Sequence, residues 1–280
     1  MTIKGLGELG LLELIKPYLA AGVGGDDAAV FEDGDGYLVA STDMFVEGVH
    51  FDLGWMSPED VGWRSIALAL GDLAAEGATP AWALVSVAVP PTWSQETVTG
   101  IYAGMKQLGS VAIAGGDMSA TGGPAVVSVA VAGHTAHRPL ARADIKPGWS
   151  VAVTGSLGAA AVALRERRPV RLVPLLEEGA RLNRLGLCCG DVSDGLVREM
   201  EKFAAMSGVG AVVHADRVRC APGASLEEAL TSGEEAALVC VGPHAIMAES
   251  GLLVVGETTV ERQVKVIGAT LQSTGYDHFA

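Results

Sequence analysis

The sequence predicts a two-domain protein of the α+β / α/β class, with an N-terminal mixed sheet backed by helices and a C-terminal α/β domain. The chain has 280 residues, of which 49% are hydrophobic, and this is enough apolar material for a sizeable core. Strand patterns alternate with two long helical patterns in the first half. A segment with two prolines, His134–Gly148, precedes a second series of strands and helices. We therefore predict domains over residues 1–137 and 138–280.

The elements of the N-terminal half follow from local patterns. The turn sequence Asp33–Gly36 joins two apolar runs and predicts a β-hairpin. Ser57 is a natural N-cap with Pro58 at the first helical position, so a long helix begins there. The predicted helices are Leu6–Ala20, Pro58–Glu76 and Ser94–Leu108, and the predicted strands are Ala28–Phe31, Tyr37–Thr42, Ala81–Val89, Val111–Ala114 and Ala125–Gly133.

The C-terminal half shows the same alternation of short strands and helices. Its longest uncharged stretch, Pro147–Leu164, is interrupted by Thr154-Gly155-Ser156-Leu157-Gly158, which predicts a strand, a turn and a helix start instead of a membrane span. The predicted strands are Val151–Thr154, Ala211–His214, Ala237–Val241 and Leu253–Gly256, and the predicted helices are Gly158–Arg168, Leu175–Leu185, Gly195–Met206 and His244–Glu249.

The net charge of −14 at pH 7 excludes a protein that wraps a nucleic acid backbone, because that function needs a basic face. The first 140 residues hold 16 of the 33 acidic residues but only 5 of the 19 basic ones. This asymmetry favours the binding of cations, or of anionic substrates that arrive with cations. The alternative is that the acidic surface serves solubility alone.

Cysteine usage and the N-terminus indicate the compartment. None of the four cysteines precedes Cys188, and they form no C-x-x-C pair, which argues against a zinc site or a disulfide framework. Glu8 and Glu13 interrupt the early apolar residues, so we predict no signal peptide. We expect a cytoplasmic protein that does not enter a membrane.

Aspartates recur at turns and at predicted strand ends. Taken singly, each has a structural role available to it, since Gly-Asp and Asp-Gly form turns and Ser193 or Asp194 could be a helix N-cap. Asp72 is different, because the stretch Ile66–Ala75 has no other charge and a buried carboxylate needs a partner. The recurring residues are Asp26, Asp27, Asp43, Asp72, Asp117, Asp191 and Asp194.

Magnesium would supply that partner. Mg²⁺ prefers oxygen ligands and is held by a few carboxylates together with substrate phosphates. Ser41 and Thr42 offer further hydroxyl or carbonyl oxygens beside Asp43. The chain contains no Walker motif and no protein-kinase motif set, and no G-x-G-x-x-G follows a strand. If the protein binds ATP, it does so with another fold.

The order of these motifs resembles the thiamine-monophosphate kinase family, in the superfamily of aminoimidazole ribonucleotide synthetase. The resemblance runs from residue 24 to the C-terminus. It rests on Gly25–Val30, Ser41–Asp43, Val46–Phe51, Asp72–Pro80, Gly115–Asp117, Lys146–Gly148, Asp191–Leu196 and Gly275–Phe279.

The resemblance implies transfer of the γ-phosphoryl group of ATP to thiamine monophosphate, several Mg²⁺ ions, and a homodimer formed through the N-terminal domain. It also implies site residues. The implied magnesium ligands are Asp27, Ser41, Thr42, Asp43, Asp72, Asp117, Asp191 and Asp194; the implied nucleotide contacts are Tyr102, Gly116, Asp117, Arg142 and Ser193; the implied contacts to the thiamine end are His50, Glu234 and either Tyr276 or Phe279.

Some of these residues could instead have a purely structural role. His50 could be a core or turn histidine, and Tyr102 could pack in the core. Arg142 could be an exposed surface arginine. The terminal aromatics could stack on a cationic thiazolium ring or belong to a frayed tail.

One segment departs from the family pattern. Members carry Gly-Gly-Glu-Asp-Tyr-Glu before a late strand, whereas this chain has Ser232-Gly233-Glu234-Glu235-Ala236-Ala237. Two alternatives follow: another ATP-dependent enzyme of the superfamily, such as one that closes a ring as aminoimidazole ribonucleotide synthetase does, or a non-catalytic protein that binds nucleotide and magnesium. The reaction itself needs no general base, because a phosphate monoester acceptor is largely dianionic near neutral pH.

Overall fold

The computed structural model describes residue 3, residues 5–20 and residues 25–279. The helices are α1 (Gly7–Ile15), α2 (Pro58–Ala75), α3 (Gln95–Leu108), α4 (Ala159–Arg165), α5 (Leu176–Leu185), α6 (Leu196–Ser207), α7 (Leu226–Thr231) and α8 (His244–Ser250). The strands are β1 (Ala29–Asp33), β2 (Gly36–Val46), β3 (Thr79–Val89), β4 (Ala112–Ala120), β5 (Val126–Thr135), β6 (Ser150–Val153), β7 (Cys188–Val192), β8 (Gly210–His214), β9 (Glu235–Gly242), β10 (Leu253–Thr259) and β11 (Val264–Ile267). No helix in the described ranges is long and apolar enough to cross a membrane.

The first sheet has the strand order β1-β2-β5-β3-β4. Only β3 and β4 run parallel, so the sheet is mixed as predicted. The helices α2 and α3 cover one face, where Ile66 packs with Val85 and Val129 in a fully buried core. No described residue range covers the opposite face, which exposes apolar side chains, among them Met44 (59%) and Trp82 (39%).

The second sheet has the strand order β11-β8-β10-β6-β9-β7. Helix α6 packs on one face through Met200 and Phe203. Leu182 of α5 and Met247 of α8 pack on the other face. A sheet with helices on both faces is the architecture expected of an α/β domain.

Helix α2 connects the two sheets. Its N-terminus is capped by Ser57, whose hydroxyl accepts the N–H of Asp60 at 3.1 Å. Glycines allow close contact on two sides: a Cβ at Gly62 would meet a carbonyl oxygen of α3 at 1.8 Å, and a Cβ at Gly179 of α5 would meet the carbonyl oxygen of Ala74 at 1.9 Å. The C-terminal half of α2 therefore joins the core of the second sheet, which places both sheets around Asp72.

Several predicted boundaries were wrong. Helix α1 ends at Ile15 and gives way to a 3₁₀ turn over Lys16–Tyr18, because Pro17 cannot continue an α-helix. The strands that carry Asp43 and Asp117 do not end at these residues but continue through them, since backbone pairing tolerates polar side chains on a strand. The short helix α7 was not predicted.

Candidate functional site

A cavity of about 590 Å³ lies between the two sheets. The first sheet contributes Asp43, and α2 contributes Arg64. The loop after β7 contributes Ser193 and Asp194, and the C-terminal segment contributes Tyr276. The wall is thus assembled from segments that are far apart in the sequence.

Three of the predicted magnesium ligands converge beside this cavity. Asp27 precedes β1, Asp72 lies in α2 and Asp191 lies in β7, and one carboxylate oxygen of each lies within 4.8 Å of the others. The Ser41 hydroxyl donates to Asp72 Oδ2 at 2.5 Å. Gly71 allows α2 to approach β7, because a Cβ there would already touch the Asp191 carboxylate at 3.4 Å.

Burial and mutual repulsion oppose ionisation of these carboxylates. Burial raises the pKa of Asp72 well above its usual value, and the charges of Asp43, Asp191 and Asp27 raise it further. The same two causes, burial first, raise the pKa of Asp43 to about 6. Among the residues that the structure describes, Asp27 Oδ2 is buried without a hydrogen-bond partner. A divalent cation would satisfy this oxygen and relieve the repulsion, so the residues fit a magnesium site.

Arg142 is buried behind the three aspartates and is not the exposed surface arginine of the alternative interpretation. Its guanidinium bonds to Asp27 and to Glu199, the latter at 3.3 Å. Its backbone N–H donates to Asp26 Oδ1 at 2.8 Å, and its side chain lies over the Phe203 ring. Arg142 therefore neutralises the charge of Asp27 from the protein interior and does not line the cavity.

Ser193 and Asp194 do not cap α6, contrary to one alternative. The N-cap is Gly195, which has no side-chain cap bond. Instead Lys202 Nζ bonds to Asp194 Oδ2 at 2.6 Å and to Glu199 Oε1 at 2.9 Å. Since the N-cap position is a glycine, the side chains of Ser193 and Asp194 do not serve as helix caps. Both residues line the cavity instead.

His50 and the C-terminal aromatics form the opposite end of the cavity. His50 Nδ1 accepts the N–H of Val46 at 3.1 Å, and burial lowers the pKa of His50. Its ring lies 5.0 Å from that of His278, which is 4.7 Å from Tyr276 and 6.3 Å from Phe279. The Tyr276 N–H donates to the Asp194 carbonyl at 3.1 Å. The C-terminal segment is thus packed against the site and is not a frayed tail.

Glu234 lies in the segment that departs from the family pattern. Its backbone has φ +57°, and its N–H donates to the Ser193 carbonyl at 2.8 Å. Its carboxylate pairs with Arg64 of α2. Next to it, Glu235 Oε1 accepts two backbone N–H groups at the start of α4, from Gly158 at 3.0 Å and Ala160 at 2.9 Å. The altered segment is therefore anchored on both sides.

Three groups of predicted site residues do not reach this cavity within one chain. Thr42 points to the uncovered face, opposite to its neighbours Ser41 and Asp43 on β2. Tyr102 packs against the first core. Gly116 and Asp117 lie on β4, three strands from β2 in the sheet, which is about 14 Å at about 4.8 Å per strand.

The sequence reasoning missed the cationic residues of the cavity wall. Arg64 and Lys202 are its Lys and Arg residues within the described part of the chain. A charge in an otherwise apolar helix was a usable signal for Arg64, which precedes Asp72 by eight residues in α2. Glu199 is fully buried and joins Lys202 to Arg142. No local pattern distinguishes it from other acidic residues of a helix.

Comparison with known proteins gives a consistent result. The family described as AIR synthase related protein, N-terminal domain, matches residues 25–135. The thiamine-monophosphate kinase of Rhodopirellula baltica is 34% identical over an alignment covering 91% of this chain and 85% of that protein. The Aquifex aeolicus thiamine-monophosphate kinase is 30% identical over the full length of both. A solved structure of AaThiL complexed with AMPPCP and TMP has a TM-score of 0.89, with 28% identity and coverage of 100% of this chain and 99% of that one.

Proposed function

Since the chain belongs to the thiamine-monophosphate kinase family, we propose that it transfers the γ-phosphoryl group of ATP to thiamine monophosphate, yielding thiamine diphosphate and ADP. The observation that carries this proposal is the convergence of Asp27, Asp72 and Asp191 within 4.8 Å beside a cavity of about 590 Å³. A cavity of this size lies within the range of small-molecule and cofactor sites.

Asp27, Asp72 and Asp191 would hold Mg²⁺, with Asp43, Asp194 and the Ser41 hydroxyl beside them. When bound, the ions neutralise two phosphate groups that otherwise repel each other. The chain itself supplies position: the three aspartates come from a loop, a helix and a strand, each held by a separate packed element. Arg142, itself paired with Glu199, holds the Asp27 carboxylate through its Oδ1, which leaves Oδ2 toward Asp72 and Asp191 as the oxygen for a cation.

The reaction needs no general base in this site. A terminal oxygen of the acceptor phosphate attacks the γ-phosphorus, and the bond from that phosphorus to the β–γ bridging oxygen breaks, which releases ADP. The acceptor oxygen is already anionic near neutral pH.

The aromatic end of the cavity suits the thiamine part of the acceptor. His50 and Tyr276 line it, and Phe279 lies one ring behind, against His278. An electron-rich ring face attracts a thiazolium cation. We expect Tyr276→Ala to raise the KM for thiamine monophosphate more than the KM for ATP, with a smaller effect for Phe279→Ala. If both variants had the same KM for thiamine monophosphate as the wild type, aromatic stacking on the thiamine part would be excluded.

A second copy of the chain would supply the residues that one copy leaves remote. The uncovered face of the first sheet exposes Met44, Trp82 and Leu84, and the strand register places Thr42 and Asp117 on that same face. Apolar faces of this kind bury themselves in an interface. We propose a homodimer that packs these faces and brings Asp117, and with it the adjacent Gly116, to the partner's cavity, whereas Tyr102 stays on α3 against the core of the covered face. The division into domains 1–137 and 138–280 is part of the same proposal.

Subunit complementation tests the shared site. Asp43→Asn and Asp117→Asn homodimers should both be inactive, whereas a mixture allowed to exchange subunits should recover about a quarter of the wild-type activity, because half the dimers are then mixed and each carries one intact site. If no activity were recovered although mass spectrometry showed mixed dimers, all metal ligands would lie within one chain. This result would overturn the shared site.

Phosphorus NMR tests the reaction. The purified protein is incubated with ATP, Mg²⁺ and thiamine monophosphate, and we expect thiamine diphosphate signals to grow in step with those of ADP. Asp72→Asn, which keeps the shape of the cluster but removes a charge, is the matched control and should give no transfer. ADP without thiamine diphosphate, or no turnover at all with magnesium-dependent ATP binding intact, would contradict the proposed acceptor.

A further inference from the structure

The carboxylates of the site fall into two groups that differ in how they are neutralised. Asp27, Asp72 and Asp191 bring three carboxylates within 4.8 Å of one another. Within the described ranges Asp72 and Asp191 have no Lys or Arg partner, and Asp27, whose Oδ1 pairs with Arg142, keeps its Oδ2 buried without a hydrogen-bond partner. Asp194, in contrast, has a cation on the cavity wall: Lys202 Nζ lies 2.6 Å from its Oδ2. The resemblance implies magnesium at both groups, but only the first group keeps carboxylate oxygens that no cation contacts.

Lys202 is held at this point by three oxygen atoms. Its ammonium is 2.9 Å from Glu199 Oε1 and 3.4 Å from Ser193 Oγ, in addition to Asp194. The side chain is 14% exposed and lines the cavity. Two carboxylates, Asp194 at 2.6 Å and Glu199 at 2.9 Å, hold the ammonium in place. The ammonium is therefore a fixed charge at the wall and not a mobile surface group.

One of its three donors is available to a ligand. The Ser193 hydroxyl already donates to Glu199 Oε1 at 3.0 Å, and its 3.4 Å contact with Lys202 is the longest of the three. An ammonium presents three N–H donors and no acceptor. A phosphate oxygen would therefore replace this weak contact without breaking the two charged ones.

We propose that Lys202 takes the place of one divalent cation at Asp194 and binds a phosphate oxygen of the nucleotide directly. This inference rests on the proposed function and adds to it which cation neutralises each carboxylate. Metal ions would bind at Asp27, Asp72 and Asp191, whereas the Lys202 ammonium would neutralise Asp194. A lysine is a point charge that suits a phosphate oxygen, and it binds without any requirement for free Mg²⁺.

The test counts metal ions instead of turnover. Mn²⁺ bound per chain is measured by electron paramagnetic resonance at saturating non-hydrolysable ATP analogue. We expect Lys202→Gln to bind one more Mn²⁺ than the wild type, because Asp194 is freed, and to bind the analogue at least tenfold more weakly when Mn²⁺ is limiting. Lys202→Arg should keep the wild-type count. Lys265→Gln, which removes an exposed lysine from β11, is the matched control.

An unchanged Mn²⁺ count in a folded Lys202→Gln protein would overturn the proposal. A second measurement on the wild type covers the case in which that variant does not fold. The lysine ammonium groups of the ¹⁵N-labelled wild type are observed by NMR in EDTA, and the analogue without metal should shift the Lys202 signal but not the Lys265 signal. Unchanged positions of both signals at saturating analogue would contradict direct phosphate contact. If the wild type binds no analogue by either method, the proposed function fails as well.

Discussion

Replacement of Asp43 by asparagine should stabilise the metal-free protein and reduce the stabilisation that it gains from magnesium. Asp43 lies on β2 at the cavity wall, where burial, followed by the charges of Glu234, Asp27 and Asp194, raises its pKa from 3.8 to about 6. A carboxyl group with a raised pKa binds its proton more tightly in the folded than in the unfolded state. It therefore lowers stability as the pH rises from about 4 to about 6, and the full penalty remains above that range.

The size of this penalty follows from the difference between the two pKa values. About two pH units at about 1.4 kcal/mol each correspond to about 3 kcal/mol at neutral pH. Asparagine has nearly the same shape but no charge, so the metal-free variant should gain up to this amount. For a chain of this length that is a rise in Tm of about 6 °C or more.

Thermal unfolding, followed by circular dichroism, measures both effects. The wild type and Asp43→Asn are compared in EDTA and in saturating MgCl₂ near pH 7.5, with Asp35→Asn in the exposed turn between β1 and β2 as the control. We expect the variant to be more stable in EDTA and to gain less from Mg²⁺ than the wild type. A variant that is less stable in EDTA and retains the full magnesium effect would refute the assignment of a repelled, metal-binding carboxylate.

Three further predictions concern pH, packing and the ion pair of the altered segment. The rise in Tm that Mg²⁺ gives the wild type should shrink as the pH falls through about 6, because protons compete at Asp43; a constant rise between pH 5 and 8 would contradict this. Gly62→Ala should lower the free energy of unfolding in urea by about 3 kcal/mol, since its Cβ would lie 1.8 Å from a carbonyl oxygen of α3, whereas Gly10→Ala in α1 should be neutral. Arg64→Ala should cost about 2 kcal/mol because it leaves Glu234 unpaired, and adding Glu234→Gln should restore most of it; additive losses would exclude the coupling.

Local chemistry in the sequence was sufficient for most elements of the fold. The Ser57–Pro58 start of α2 and the turn between Asp33 and Gly36 were predicted and are confirmed. Each depends on contacts between residues a few positions apart, such as the cap hydroxyl and the backbone N–H that it accepts. Such contacts can be predicted from adjacent residues in the sequence. The ends of the strands that hold Asp43 and Asp117 were predicted wrongly, because functional carboxylates interrupt the alternation from which a strand is recognised.

The sequence by itself determined the class of fold, the family resemblance and the types of residue available for the chemistry, since these depend on composition, periodicity and motif order. The tertiary structure decided which carboxylates meet and which cations accompany them. Asp27, Asp72 and Asp191 are up to 164 positions apart and converge only because α2 packs against both sheets. Lys202 joins Asp194 because one turn of α6 faces the loop before it. Charge neutralisation in a buried site depends on distances of a few ångströms between remote segments, and no local pattern encodes them.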